Sequence, residues 1–467
     1  MTAHWNESAE GARQGPQGPL LFLLAGFLLV FAPLMLGGNR PLPLLVLEVA
    51  AVAGLAVLAW QGEAWARLGS LPMTLRLGIG LLVVVPLLQL VPLPAGVWAQ
   101  LPGRAPYAGA LEFAGQAAVD AMRPLSIHPT ATEYSWLVVL PCLAAFLLTL
   151  AQSRSRIRTL VAVFVAVAVC EALLGIVQLG ARAGSPLYFG NIHGGGASTG
   201  TYVNRNHFAA LMAMALPSAL VLWFLKTRTS RDQHGNELRP HPSIRDRWVA
   251  MQIAFSLPIL FLLVALLFSM SRGGIGAGLL AFSLASLALV GRAKSFASKL
   301  AFTMSGAGAI AFAAYIGLTP VLERFAPDNL SLGYQGRMQI AAASVRAGLD
   351  FLPFGSGLGT FADVFRRYQV EGLPGFVDHA HNDYAELFLE LGVAGVAIVV
   401  LLAAAYAMRW LELARVWRER SLGHLQMAAG LGMLAMIVHG FVDFNFHIPA
   451  NSLYFSFLAG VFFRPAP

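Results

Sequence analysis

Four short stretches of this chain carry side chains whose types and spacing suit the handling of a phosphate and a hydroxyl. The first is Asn204-Arg205-Asn206-His207 and the second is Ser271-Arg272-Gly273-Gly274. The third is Gly336-Arg337, followed by a glycine-rich run at 355–359. The fourth is Asp378-His379-Ala380-His381-Asn382-Asp383-Tyr384. An arginine is permanently charged and grips phosphate oxygens in a two-pronged fork. A histidine is the usual proton acceptor near neutral pH. His381 is the best placed of the histidines, flanked by His379, Asn382 and Asp383 and followed by Glu386 and Glu390. On a helix, acids three and four residues apart share one face.

Each of these residues also has a plainer use. An arginine at a tight turn, such as Arg272, anchors a membrane span by snorkelling. The glycines beside it let another group approach its backbone closely. Arg205 and His207 suit a span end equally well. Carboxylates in the first turns of a helix complement its dipole. Asp443 and Asn445 read as hydrogen-bonding groups between packed helices.

The elements that must position these residues follow from composition. Of 467 residues, 57% are hydrophobic and only 12% are charged, and the mean hydropathy is +0.67. Soluble domains carry about 25% charged residues, so an ordinary soluble enzyme is excluded. Disorder is excluded too, because it needs low hydrophobicity. A helix crossing the hydrocarbon core needs roughly 20 apolar residues. About twelve such runs predict an all-α polytopic membrane protein. They lie at 19–36, 41–60, 77–94, 134–151, 160–180, 207–225, 248–270, 273–291, 300–318, 384–408, 424–445 and 448–463. Pro86 and Pro92 interrupt the third, which a span tolerates when neighbours satisfy the freed backbone groups. The polar start, with Glu7, Glu10 and Arg13, is unlike a cleaved signal, so the first span is expected to be retained.

The net charge of +8 would suggest nucleic acid or an anionic surface in a soluble protein. In a membrane protein the positive charges set orientation. With the N-terminus in the cytoplasm, alternating loops place Arg154, Arg156, Arg158, the cluster from Lys226 to Arg247, and Arg409 to Arg420 inside. The expected topology therefore has both termini cytoplasmic and a single integral membrane domain over 1–467. Two larger segments fall on the opposite side, 95–133 and a large loop at 319–383 before the tenth span. All four chemistry-bearing stretches reach that same face.

Other motifs carry less. Gly196-Ala197-Ser198-Thr199-Gly200 has the spacing of a nucleophile elbow but lies between two spans, without the strand and helix an elbow needs. The glycine run 355–359 lacks the Gly-Lys-Ser/Thr of a phosphate loop and any βαβ context. No His/Cys/Asp cluster has convincing metal-ligand spacing; His379 and His381, two apart, are the nearest approach. A transporter would show an inverted repeat around mid-span charges. Glu48 and Glu171 are mid-span, but no repeat is evident.

Five pieces in chain order resemble the O-antigen ligase and polymerase superfamily of bacterial envelope glycan enzymes. They are Asn204-Arg205-Asn206-His207-Phe208-Ala209 with Leu216-Pro217, then Ser271-Arg272-Gly273-Gly274, then Gly336-Arg337 with Pro353 and the run 355–359. The fourth is His381-Asn382-Asp383-Tyr384 with Glu390-Leu391-Gly392 and Gly395. The last is His439-Gly440-Phe441-Val442-Asp443-Phe444-Asn445 with Ile448-Pro449-Ala450-Asn451.

The resemblance implies a GT-C-like membrane glycosyltransferase of the bacterial inner membrane, with its active site periplasmic. The implied donor is a glycan on undecaprenyl pyrophosphate. The implied acceptor is a sugar hydroxyl of lipid A–core for a ligase, or a second lipid-linked glycan for a polymerase. No cofactor, metal or nucleic acid is implied. His381 matches the family's essential histidine and is expected to be catalytic together with Arg272 and Arg337. Asn204, Arg205, His207, Asn382 and Asp383 are expected to bind substrate.

Overall fold

The structure is a computed structural model that describes residues 18–61, 68–115, 121–182, 184–191, 195–227, 256–290, 327–370, 375–416 and 421–465. Apolar runs this long become helices because a helix satisfies every backbone group within itself, which lipid requires. Seven helices among the described residues are long and apolar enough to cross a membrane by length and composition. Three shorter apolar helices join them. The chain is a helical membrane protein. The expected ninth span, 300–318, and most of the charged segment 226–247 lie outside the described residues.

In order, the main elements are α1 (Gly18–Phe31), α2 (Pro41–Trp60) and α3 (Met73–Gln89). Strands β1 (Pro92–Pro94) and β2 (Met122–Pro124) follow. Next come α4 (Pro129–Leu137), α5 (Val139–Ala151), α6 (Arg154–Gln178), α7 (Arg205–Thr227) and α8 (Ser256–Phe268). The rest are α9 (Arg272–Val290), α10 (Pro327–Asp350), α11 (Phe361–Phe365), α12 (Asp383–Val416), α13 (Ser421–His439) and α14 (Pro449–Phe462). Helix α7 is the centre of the bundle: nearly all of it is buried, and it packs on α6, α9, α13 and α14. A second group forms where α3 and α10 pack on α12.

The structure departs from the sequence expectation in three places that matter for the site. Within the expected loop, Pro327–Asp350 is a helix, α10, whose Ile340, Ala343 and Ala347 pack with Phe351, Phe361 and Leu389. The apolar run 424–445 stops being helical at His439, and a non-helical turn with a short 3₁₀ stretch at Asn445–His447 leads into α14. The run at 384–408 contains a break, because Gly392 takes φ 58° and ψ −133° inside α12. Only glycine adopts that conformation without strain. The membrane-length stretch therefore begins at Val393, and the acids before it lie outside it.

Residues 95–115 and 121–128 pack against the glycine run at 355–359, through Arg104 to Gly355 and the Ile127 amide to the Ser356 carbonyl. β1 and β2 pair antiparallel, with Leu93 opposite Arg123. Arg104 is fully buried and donates to the carbonyls of Leu125 (2.7 Å), Gly355 (2.9 Å) and Pro102 (2.9 Å). Burial pulls its guanidinium down to about 10, so it stays charged at neutral pH. Gln89, at the end of α3, donates to the carbonyls of Glu390 (2.9 Å) and Phe354 (3.2 Å) and accepts from the Leu358 amide (3.0 Å). These bonds tie three distant segments into one platform beneath α12.

Candidate active site

One carboxylate gathers three of the predicted residues, His207, Arg337 and His381. Asp443 sits in the turn between α13 and α14 and is completely buried. Around it stand Arg337 (Nη1 at 3.4 Å), His381 (Nδ1 at 3.7 Å), His207 (Nε2 at 4.0 Å) and His439 (Nε2 at 4.0 Å). Arg337 also donates to the Val442 carbonyl. These partners come from α10, the turn before α12, the start of α7 and the end of α13. Burial alone would raise the Asp443 carboxyl, but His381, Arg337, His207 and His439 outweigh it and hold the group well below the usual carboxylate range.

Phe444 forms the other wall. The rings of His207 and His381 meet it edge-on, with centroids at 4.7 Å and 5.1 Å. His381 itself has φ 49°, a left-handed backbone that a non-glycine residue adopts only at a cost. That turn is what points His381 toward Asp443, while His379, two residues earlier, stacks flat on Phe444 at 4.1 Å. About a quarter of the His381 side chain and a third of Arg337 remain exposed, so both are open to a substrate.

The other predicted residues fall into distinct positions. Asn382 accepts from the amides of Tyr384 (3.1 Å) and Ala385 (3.0 Å), which caps α12, and donates to the Phe441 carbonyl (3.0 Å). Asp383 accepts from the Phe446 amide (3.2 Å) and faces His447 Nδ1 (3.1 Å), while its own amide bonds to the Gly440 carbonyl (2.9 Å). Both thus fasten α12 to the turn that carries Asp443. Asn204 accepts from the Asn206 amide (2.9 Å) and caps α7, which starts with Arg205. Arg272 opens α9, and its turn abuts the cluster through the next two residues. A Cβ on Gly273 would lie 2.9 Å from His439 Cδ2, and one on Gly274 would lie 2.5 Å from Ala209 Cβ. The glycines are there because α7, α9 and α13 cross closely at this point.

Sequence reasoning assigned Asp443 a helix-packing role and passed over His439, His447 and Phe444 as functional groups. The available signal was two histidines and an acid within nine residues of an apolar run, since intramembrane ionisable residues default to function. Glu390 serves the fold instead. It is buried and accepts from the Phe361 amide (3.1 Å), and its carbonyl accepts from the Gly357 amide (3.0 Å). It moulds the glycine run rather than facing the cluster.

Residues 257–400 match the family model described as O-antigen ligase. That stretch is similar to the family, over less than half of the chain. No curated protein matches it. The matched stretch contains Arg272, Arg337, His381, Asn382 and Asp383. It excludes His207, His439 and Asp443, which the fold returns to the same point. The domain's histidine and arginine are thus completed by a carboxylate from outside its matched boundaries.

Proposed function

We propose that this protein is a membrane glycan ligase that transfers a glycan from undecaprenyl pyrophosphate to a sugar hydroxyl of lipid A–core at the periplasmic face of the inner membrane. The observation that carries the reading is the buried Asp443 carboxylate that faces both His381 and Arg337. Asp443 Oδ1 lies 3.7 Å from His381 Nδ1, and a carboxylate drawn onto that nitrogen in the substrate complex favours the tautomer with its proton there, which leaves Nε2 as the proton acceptor. The acceptor hydroxyl gives its proton to His381 Nε2 as its oxygen attacks the anomeric carbon. The bond from that carbon to the pyrophosphate oxygen breaks, and the negative charge stays on the lipid pyrophosphate. Arg337 and Arg272 meet that growing charge, with Arg205 in a lesser part; fixed cations facing developing charge supply much of the rate enhancement in many enzymes. Asn204 and Asn382 set the helix ends that carry these groups, and His207 and Asp383 complete the walls of the binding site. A single direct displacement inverts the anomeric configuration.

On this reading arginines, and no metal, meet the phosphates. The test is transfer in vitro from a defined lipid-linked oligosaccharide. The expected result is an inverted product on lipid A–core, abolished by His381→Ala at normal expression and insensitive to added Mg²⁺. Product on a second lipid-linked repeat instead makes the protein a polymerase. Transfer that persists in His381→Ala removes that residue as the base. Movement of the lipid-linked glycan across vesicles without any transfer makes it a transporter.

A further inference from the structure

Against Phe444, through the stacked ring of His379, lies a second cluster that the transfer reading does not use. His379 Nδ1 is 2.8 Å from Glu386 Oε1, and His447 Nε2 is 3.2 Å from the same oxygen. One ligand atom from each of these three residues lies within 4.8 Å of the others. We propose that His379, Glu386 and His447 bind a divalent transition-metal cation of the zinc type.

The spacing suits it. A tetrahedral cation at about 2.0–2.2 Å from nitrogen and oxygen ligands holds those atoms roughly 3.4 Å apart. Shifts of a few tenths of an ångström bring the two measured separations to that value. The donor set is two imidazoles and one carboxylate, with side-chain exposure of 26% at His379 and 22% at His447 leaving room for a further ligand. Imidazole nitrogen selects zinc-like cations over magnesium and calcium, which take oxygen.

The surroundings are built in the manner of a metal site. His447 presents its other nitrogen to a carboxylate, with Nδ1 3.1 Å from Asp383 Oδ1. Metal-bound histidines commonly have such a partner, which fixes the tautomer and the ring. Glu386 has its second oxygen engaged by the Ala380 amide at 2.8 Å, so Oε1 is the one presented to the imidazoles. The His379 ring is held flat on Phe444, 15° from parallel. Asp383 and Glu386 are both buried.

The three ligands come from the turn before α12, the first turns of α12 and the 3₁₀ turn before α14. The cation therefore pins the turn carrying Asp443 to the helix start carrying His381. Its role is to hold that geometry; it stands apart from the pyrophosphate that the arginines meet. The cluster alone supports this site, independent of the donor and acceptor proposed above.

The experiment uses the full chain in detergent, purified without chelator on a tag free of histidine. Elemental analysis is expected to give one zinc-class ion per chain. Cobalt added to the chelated protein is expected to produce the visible absorption of a four-coordinate site. His379→Ala and Glu386→Gln should abolish that spectrum, Asp383→Asn should weaken cobalt affinity by about 10- to 100-fold, and His381→Ala should leave it unchanged. Chelation should lower Tm, and zinc should restore it. If wild-type protein holds no metal and gives no cobalt spectrum, the cluster is a hydrogen-bonded carboxylate–imidazole network and the proposal fails. A spectrum unchanged in folded His379→Ala also overturns it. Metal retention with no transfer activity would break the ligase reading and leave this one standing.

Discussion

Two imidazoles two residues apart have different partners. His381 turns to Asp443 and His379 to Glu386, and the division is made by one left-handed residue and one phenyl ring. At this scale the test is Asp443→Asn, which keeps the shape and removes the charge that orients His381. Transfer is expected to fall by about 10²-fold or more, in keeping with the contribution of a positioned base. The measurement is turnover with a saturating lipid-linked donor at matched expression. An unchanged turnover would show that the carboxylate does not orient the base. The types Arg337 and His381 were legible in the sequence because their chemistry belongs to the side chain itself. Asp443 was not, because a buried carboxylate shows its role only through the groups packed around it.

The elements bring these groups together by close crossing and by buried polar clamps. Gly274→Ala would push a Cβ into Ala209 where α9 crosses α7. Overpacking of this kind costs about 1–3 kcal/mol. A lowered Tm is expected, with recovery in Gly274→Ala/Ala209→Gly. A clamp fails differently. Arg104→Met removes the donor that the carbonyls of Pro102, Leu125 and the buried Gly355 share, and an orphaned buried acceptor costs about 1–3 kcal/mol when water cannot replace the partner. The expected result is a lower Tm and faster proteolysis within 95–128. Hydropathy marked the helices well because apolar length is local information. It overran the end of α13 by six residues, since Phe441, Val442 and Phe444 extend the apolar run, whereas Asp383, Asn382 and Asn451 bond to the turn or beside it. It likewise missed α10, a helix too polar to look like a span, whose apolar side packs on α12 and Phe351.

For the whole molecule, the distribution of Lys and Arg gives the proposed orientation, and it is open to a direct check. In protein with Cys142 and Cys170 replaced by Ser, a membrane-impermeant thiol reagent applied to intact cells or spheroplasts should label Ala110→Cys and spare Gln233→Cys. The reverse pattern would invert the topology and move the cluster to the cytoplasmic side. Composition alone determined that this chain lives in lipid as a helical bundle, because hydrophobicity summed over a span outweighs every local preference. Residue types alone determined that arginine and histidine were the groups to watch, because permanent charge and a near-neutral proton acceptor are intrinsic properties. Only the tertiary structure decided which imidazole meets which acid. His207, Arg337, His381, His439 and Asp443 span more than two hundred residues. Their meeting depends on where five elements end and how closely they cross, and those distances belong to packing rather than to any one stretch of chain.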